Sequence, residues 1–256
     1  MKIQYVSDLH LEFRDNSSYL QSNPLEVAGD ILVLAGDITL LGKNKYTNNN
    51  FFDWCSEHFE QTYIIPGNHE YYEGADLAES IKDFEIMIRS NVRYINNKSI
   101  RIGEVELFFT TLWCKIPPTE ILPVQIGITD CHRITYKSER FTSNTYNEVF
   151  EECIEWLTTA IQESNAKRKI VISHHCPTLR FVDPRFITSN VNSAFCINLD
   201  KFIEKSDIEY WIFGHTHYNG GSGTYIGNTL MLCNQLGYTK YGENKSFLKG
   251  CYIEIK

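Results

Sequence analysis

Residues 1–10, MKIQYVSDLH, carry the key to the whole chain. Ile3-Gln4-Tyr5-Val6 is a short, β-prone, largely apolar run, and it stops at Ser7-Asp8-Leu9-His10, where a carboxylate and an imidazole stand two residues apart. In extended chain, residues i and i+2 point the same way, so Asp8 and His10 can reach one centre together. The same event recurs downstream. The run 31–35 ends in Gly36-Asp37, 62–65 in Pro66-Gly67-Asn68-His69-Glu70, 170–172 in Ser173-His174-His175, and 210–213 in Gly214-His215-Thr216-His217. Five predicted strands thus deliver metal-competent groups just past their carboxyl ends, the edge where open α/β sheets bind ligands. Gly36, Gly67 and Gly214 permit the sharp turns that bring backbone close to an ion.

Working outward, further strand runs lie at 105–110, 229–233 and 252–255, and helical patterns lie between the runs. Thr145 and Glu148 read as a capping box. Behind it Tyr146, Val149, Phe150, Cys153, Ile154, Leu157 and Ile161 recur with helical period. Residues 51–59 and 75–88 read as two more helices. Strands alternating with helices predict an α/β layered fold. Residues 114–144, with Pro117, Pro118 and Pro123, and residues 176–197, with Pro177 and Pro184, fit neither period and read as functional loops or as elements that the pattern does not reveal. No repeat, low-complexity tract or linker divides the chain, so residues 1–256 are expected to form a single domain.

Composition narrows the function classes. Hydrophobic residues make up 43% of the chain, enough for a packed core, and the net charge of −8 argues against a broad basic face for duplex nucleic acid. The eight cysteines form no C-x-x-C pair, which excludes zinc-ribbon and thioredoxin-type motifs and points to reduced thiols in the cytoplasm. No apolar run approaches the roughly 18–20 residues of a membrane span.

Carboxylate, imidazole and amide oxygen without thiolate suit divalent Mn, Fe or Zn. Asp8, His10, Asp37, Asn68, His174, His215 and His217 are too many ligands for one zinc but natural for two ions sharing a carboxylate. Such a pair can hold a bridging hydroxide and clamp both oxygens of a phosphoryl displacement. Each piece alone is weak; of the eight histidines, however, only His58 and His132 fall outside these strand ends.

Together the blocks Asp8-Leu9-His10, Gly36-Asp37, Gly67-Asn68-His69-Glu70, His174 and Gly214-His215-Thr216-His217 resemble the calcineurin-like metallophosphoesterase superfamily. The resemblance implies an αββα sandwich of two mixed β-sheets flanked by helices. It also implies that Asp8, His10 and His217 hold one metal, Asn68, His174 and His215 the second, and that Asp37 bridges them. His69 would stay off the metals and act as a catalytic residue, touching the phosphate and helping the leaving oxygen gain its proton. His174 and His175 compete for one place; the first of such a pair is the family's usual ligand, leaving His175 to orient or line the pocket. Glu70 is expected to anchor its turn or accept a hydrogen bond.

Departures narrow the substrate. Where the family's protein Ser/Thr phosphatases carry phosphate-gripping residues, this chain has Leu40, Leu41 and Pro66, so a phosphoprotein substrate is not expected. Asn234, Gly237-Tyr238 and 129–133 resemble small bacterial-type members that cleave phosphodiesters or phosphomonoesters. The expected partner is a small phosphorylated molecule, with nucleotides among the candidates. Arg133 reads either as a forked phosphate donor or, more simply, as an arginine on a solvated loop. The rival readings are a nuclease of the same superfamily and a scaffold that lost turnover.

Overall fold

Alternation within single strands sets up two buried faces. In β1 (Lys2–Val6), Ile3 and Tyr5 point one way and Val6 the other; β2 (Ile31–Ala35) divides Ile31, Val33 and Ala35 from Leu32 and Leu34. Being apolar on both sides, such strands belong in the middle of layers. The computed structural model describes residues 1–255, with the backbone alone for Lys43; the last residue of the expected domain, Lys256, lies outside the described residues.

Two mixed six-stranded sheets result. In the first, β1, β2, β3 (Gln61–Ile65) and β5 (Val92–Asn96) run parallel, with β14 (Tyr252–Glu254) and β4 (Phe84–Arg89) antiparallel at the edges. In the second, β7 (Val105–Thr110), β10 (Arg168–Ser173), β11 (Ile208–Phe213) and β13 (Thr229–Cys233) run parallel, with β6 (Lys98–Ile102) and β12 (Thr224–Ile226) antiparallel at the edges. One apolar cluster joins Ile3, Val33 and Ile65 of the first sheet to Leu107, Ile172 and Ile212 of the second. Across it Tyr63 and Phe109 meet with ring centroids 5.3 Å apart, so the sheets pack face to face.

Helices cover the outer faces. On the first sheet α2 (Asn50–His58) sets Phe52 against Tyr94, rings 6.5 Å apart, and its cap Asn49 accepts a hydrogen bond from Phe51 N. On the second lies α5 (Ser143–Glu163), burying Tyr146, Val149, Phe150, Cys153, Leu157 and Ile161. Each large apolar side chain there contributes roughly 1.5–3 kcal/mol of gross burial energy. The architecture is the αββα sandwich.

Three local readings need correction. The α5 cap is Thr142, whose Oγ1 accepts from Thr145 N at 3.1 Å, so the helix begins two residues before Thr145. Residues 75–88 are not a helix: a short 3₁₀ turn, Leu77–Ser80, precedes β4. There Phe84, Ile86 and Ile88 alternate with exposed or polar neighbours, Phe84 and Ile86 pair with β5 while a bulge falls at Ile88, and tertiary pairing outweighs the weak helical period. Residues 114–144 are also not all loop. They hold α3 (Ile121–Gly127), α4 (Asp130–Arg133) and a hairpin of β8 (Thr135–Tyr136) and β9 (Glu139–Arg140). Residues 176–197 are loop with three 3₁₀ turns.

Candidate metal centre

The parallel strands of each sheet end at one rim, and the singled-out residues meet there. Three groups of ligand-competent atoms lie within 4.8 Å of one another: Asp8, His10, Asp37 and His217; Asp37, His174 and His215; and His10, Glu12 and His69. Asp37 belongs to the first two. His10 Nε2 faces His217 Nε2 at 3.0 Å and Asp37 Oδ2 at 3.8 Å, and His217 Nε2 lies 3.3 Å from Asp8 Oδ1. In the second group His174 Nε2 lies 3.1 Å from Asn68 Oδ1 and 3.5 Å from Asp37 Oδ1. Asp8, His10, Asp37 and His174 are wholly buried or nearly so.

Convergence does not come from extended chain, as the i, i+2 argument supposed. Asp8, His10, Asp37, His215 and His217 all adopt positive φ, from 47° to 72°. For residues with a β-carbon that conformation costs on the order of 1–3 kcal/mol each, and such strain gathers at functional sites. Hydrogen bonds hold the turns: Asp8 N donates to Gly36 O at 3.0 Å, His10 N to Asp37 O at 2.9 Å, and His215 N to Asp8 Oδ1 at 3.0 Å. Close approach needs glycine. A β-carbon at Gly67 would stand 2.2 Å from Asp37 Oδ1, and one at Gly36 would stand 2.3 Å from His174 Nδ1.

A surrounding layer aims the ligand atoms. His10 Nδ1 lies 3.2 Å from Glu12 Oε1, His217 Nδ1 lies 2.7 Å from Glu243 Oε2, and His174 Nδ1 lies 2.9 Å from Ala35 O. Each acceptor holds the proton on Nδ1 and leaves the Nε2 lone pair facing the centre. His215 is reversed: its Nε2 lies 3.3 Å from Ala194 O, which leaves Nδ1. Asn68 Nδ2 donates to Asp130 Oδ1 at 2.9 Å and to the Tyr72 hydroxyl at 3.1 Å, so its Oδ1 points at the group. Tyr72 and Tyr146 donate to the same Asp130 carboxylate. Glu70, fully buried, accepts from Gly67 N, Asp37 N and Ile38 N at 2.8–3.0 Å and ties two ligand loops together. Burial, and then the Asp37 charge, push its carboxyl up to about 8.

The donor set fits divalent cations. Burial pushes the His174 imidazole down, but the Asp37 carboxylate outweighs it and lifts the group to about 9. Burial is likewise outweighed at His217, which its bonds to Asp8 and Glu243 raise to about 10. The carboxylates thus favour positive charge at the ring nitrogens, which a divalent ion could supply in place of the protons. His10 and His215 are held below the ordinary range, chiefly by burial, and so are neutral and ready to ligate.

His69 stands apart from the two groups that share Asp37. Its backbone N donates to Asp37 Oδ1 at 2.8 Å, its Nδ1 lies 3.0 Å from Glu12 Oε1, and its Nε2 lies 3.1 Å from the Tyr238 hydroxyl. His175 belongs to none of the three groups: its Nδ1 lies 3.2 Å from Thr111 O and its ring packs between Trp113 and His215. A cavity of about 630 Å³ opens over the centre, floored by Asp37, Asn68, His69, His215 and His217. Arg133 is on its wall, 3.5 Å from Glu73.

The sequence reading missed Glu12, Asp130 and Glu243. Glu12 had a signal, two residues beyond His10 as His10 is two beyond Asp8. Asp130 fell within the stretch 129–133 singled out above, with no role attached, and Glu243 had no signal, since each meets its partner only through tertiary folding.

The model of the calcineurin-like phosphoesterase family matches residues 1–219. A protein of Acanthamoeba polyphaga mimivirus, described as uncharacterized protein L509, is 29% identical over 99% of this chain and 96% of its own. The solved structure of phosphopantetheinyl hydrolase from Mycobacterium tuberculosis has a TM-score of 0.73 at 13% identity, covering 100% of this chain and 96% of that one, a likeness of fold. A dimetal phosphatase from Danio rerio covers 92% of this chain and 87% of its own at TM-score 0.47 and 16% identity. The family match spans the strand ends from Asp8 to His217, and the chain belongs to the calcineurin-like phosphoesterase family.

Proposed function

We propose that this protein is a dinuclear metal-dependent phosphodiesterase acting on a small organic phosphodiester. The observation that carries the reading is Asp37, shared between two ligand groups on the floor of one cavity. Asp8, His10, Asp37 and His217 would hold one ion, and Asp37, Asn68, His174 and His215 the other, with Mn, Fe or Zn suited to the donors. Bound there, the ions supply Lewis-acid polarisation of the phosphoryl group and a nucleophilic hydroxide near neutral pH.

The protein's own residues do the rest. Glu12 accepts from His10 and His69 and fixes both rings. Burial lowers the pKa of His69, but Asp37 and Glu12 outweigh it and the net shift is upward, which favours the protonated ring. Its Nε2–H, at the cavity wall, is the proton source for the departing oxygen. Asp130 keeps the Asn68 amide oxygen inward.

Charge favours a diester over a monoester. A monoester dianion carries one more charge, yet the only arginines or lysines on the cavity wall among the described residues are Arg133 and Arg185, committed to Glu73 at 3.5 Å and Asp183 at 2.6 Å. We further infer one domain over the whole chain and a reducing, cytoplasmic setting, supported by eight unpaired cysteines of which seven are buried. No helix of the described residues is long and apolar enough to cross a membrane.

The deciding experiment compares bis(4-nitrophenyl) phosphate with 4-nitrophenyl phosphate on protein reconstituted with Mn, Fe or Zn. The diester should be the faster substrate, with about two ions bound per chain. Exclusive monoester turnover, or turnover undiminished by chelation, would overturn the reading.

A further inference from the structure

Two chambers meet at His69. The larger, of about 630 Å³, holds the metal-centre floor; the smaller, of about 370 Å³, contains no residue of the floor except His69. Phe13, His69, Tyr72 and Arg133 line both. Their chemistry differs. Away from its floor the larger chamber is walled mainly by apolar side chains, among them Phe13, Ile128, Val182, Phe186, Val191 and Phe195, with Arg133, Asp183 and Arg185 between them. The smaller is more polar: Glu12, Thr39, Lys45, Asn49 and Glu73 line it beside Leu11 and Leu40, and the Glu12 Oε2 atom is buried with no hydrogen-bond partner.

The apolar wall continues outward. Phe186 is 54% exposed, its neighbour Ile187 is 73% exposed, and Leu122 and Ile126 of α3 are each 66% exposed. Segment 191–193 joins these parts to α3, for Ser193 N donates to Glu120 Oε2 at 3.3 Å and Gly127 adjoins Val191. Large apolar side chains left open at a cavity mouth, as Phe186 is, mark a surface that receives apolar ligand.

From this geometry we infer that the substrate is an asymmetric, amphiphilic phosphodiester, with an alkyl-like group along the larger chamber and a compact polar alcohol leaving into the smaller one. The inference rests on the phosphodiesterase reading above. The direction follows from the place of His69: it is the only floor residue that the smaller chamber touches, so a group departing into that chamber leaves past its ring. Water supplies the new P–O bond and the P–O bond to the polar alcohol breaks. The proton from His69 goes to that alcohol, and the ring is restored by the proton that water gives up. The products are a monoalkyl phosphate and the free alcohol.

The test uses metal-loaded protein and a series of n-alkyl 4-nitrophenyl phosphates from methyl to hexyl, soluble as monomers. Burial of each methylene should raise kcat/KM about threefold to fourfold. Phe186→Asp and Val191→Asp should flatten the series; Phe186 is exposed and its replacement leaves the core intact, as a melting curve would check. Hexyl glyceryl phosphate should yield hexyl phosphate and glycerol. A flat wild-type series, an equal slope in both variants, or release of hexanol with glycerol phosphate would overturn the inference. Calorimetric binding of octyl phosphate, weakened at least tenfold by Phe186→Asp, examines the chamber independently of turnover. If bis(4-nitrophenyl) phosphate and the whole series stand unhydrolysed while octyl phosphate binds in this pattern, the diesterase reading fails and the apolar chamber stands.

Discussion

Gly67→Ala adds one methyl group between the two ligand loops, and its effect can be worked out from distances. The new β-carbon would lie 2.2 Å from Asp37 Oδ1, 2.6 Å from Asp37 N and 2.7 Å from His174 Cε1. None of these atoms is the free end of a flexible chain. Asp37 N donates to Glu70 at 3.0 Å and His174 is wedged against Ala35 O at 2.9 Å. Ordinary contact lies near 3.5 Å, so Asp37 Oδ1 must retreat by about 1 Å. Overpacking of this kind costs about 1–3 kcal/mol, which for a chain of this size lowers Tm by roughly 2–12 °C. A 1 Å misplacement of a positioned group costs on the order of 10²-fold in rate. Elemental analysis, a melting curve and diester turnover measure the three effects. Gly127→Ala is the stability control, since its β-carbon would meet only Val191 Cγ1 at an ordinary 3.6 Å and it sits in a helix. Two bound ions, wild-type rate and unchanged Tm in Gly67→Ala would refute the reasoning that this glycine exists to let the loops touch.

Asp37→Asn should lower metal affinity beyond the roughly 10–100-fold typical of losing a supporting hydrogen bond and nearly abolish turnover, with the fold intact by circular dichroism. His174→Ala should lose one ion by elemental analysis, whereas His175→Ala should keep both; the reverse would transpose the ligand assignment. His69→Ala should keep both ions and lower kcat by roughly 10²–10⁴-fold for alkoxide leaving groups, with a smaller defect for nitrophenolate, which needs little proton donation; equal losses would mean a purely electrostatic role. Metal uptake at pH 7.5 should release protons, because His174 and His217 stay protonated up to about 9 and about 10 without metal. Affinity should therefore climb with pH across that window, and the release should vanish above about 10. Calorimetry in two buffers of different ionisation enthalpy counts the protons, and no release at pH 7.5 would contradict the assignment.

Much of this protein is local information. An apolar run that ends in Asp-x-His, Gly-Asp or Gly-His-x-His is legible residue by residue, because strand propensity and side-chain chemistry belong to the chain itself. Five such endings sufficed to name the candidate ligands and to predict alternating strands and helices. Other features depended on neighbours remote in sequence. Residues 84–89 became a strand because β5 offered its pairing edge, a partner the local pattern could not weigh against a helical period. The left-handed turns at Asp8, His10, Asp37, His215 and His217 are imposed by bonds between loops, against the preference of each residue. Which nitrogen His10, His217, His174 and His215 present is decided by Glu12, Glu243, Ala35 and Ala194 in turn, and which way Asn68 points by Asp130, 62 residues away. The ligand types were written along the chain, but their aim, their strain and the two chambers of unlike polarity around His69 exist only once distant loops share one rim.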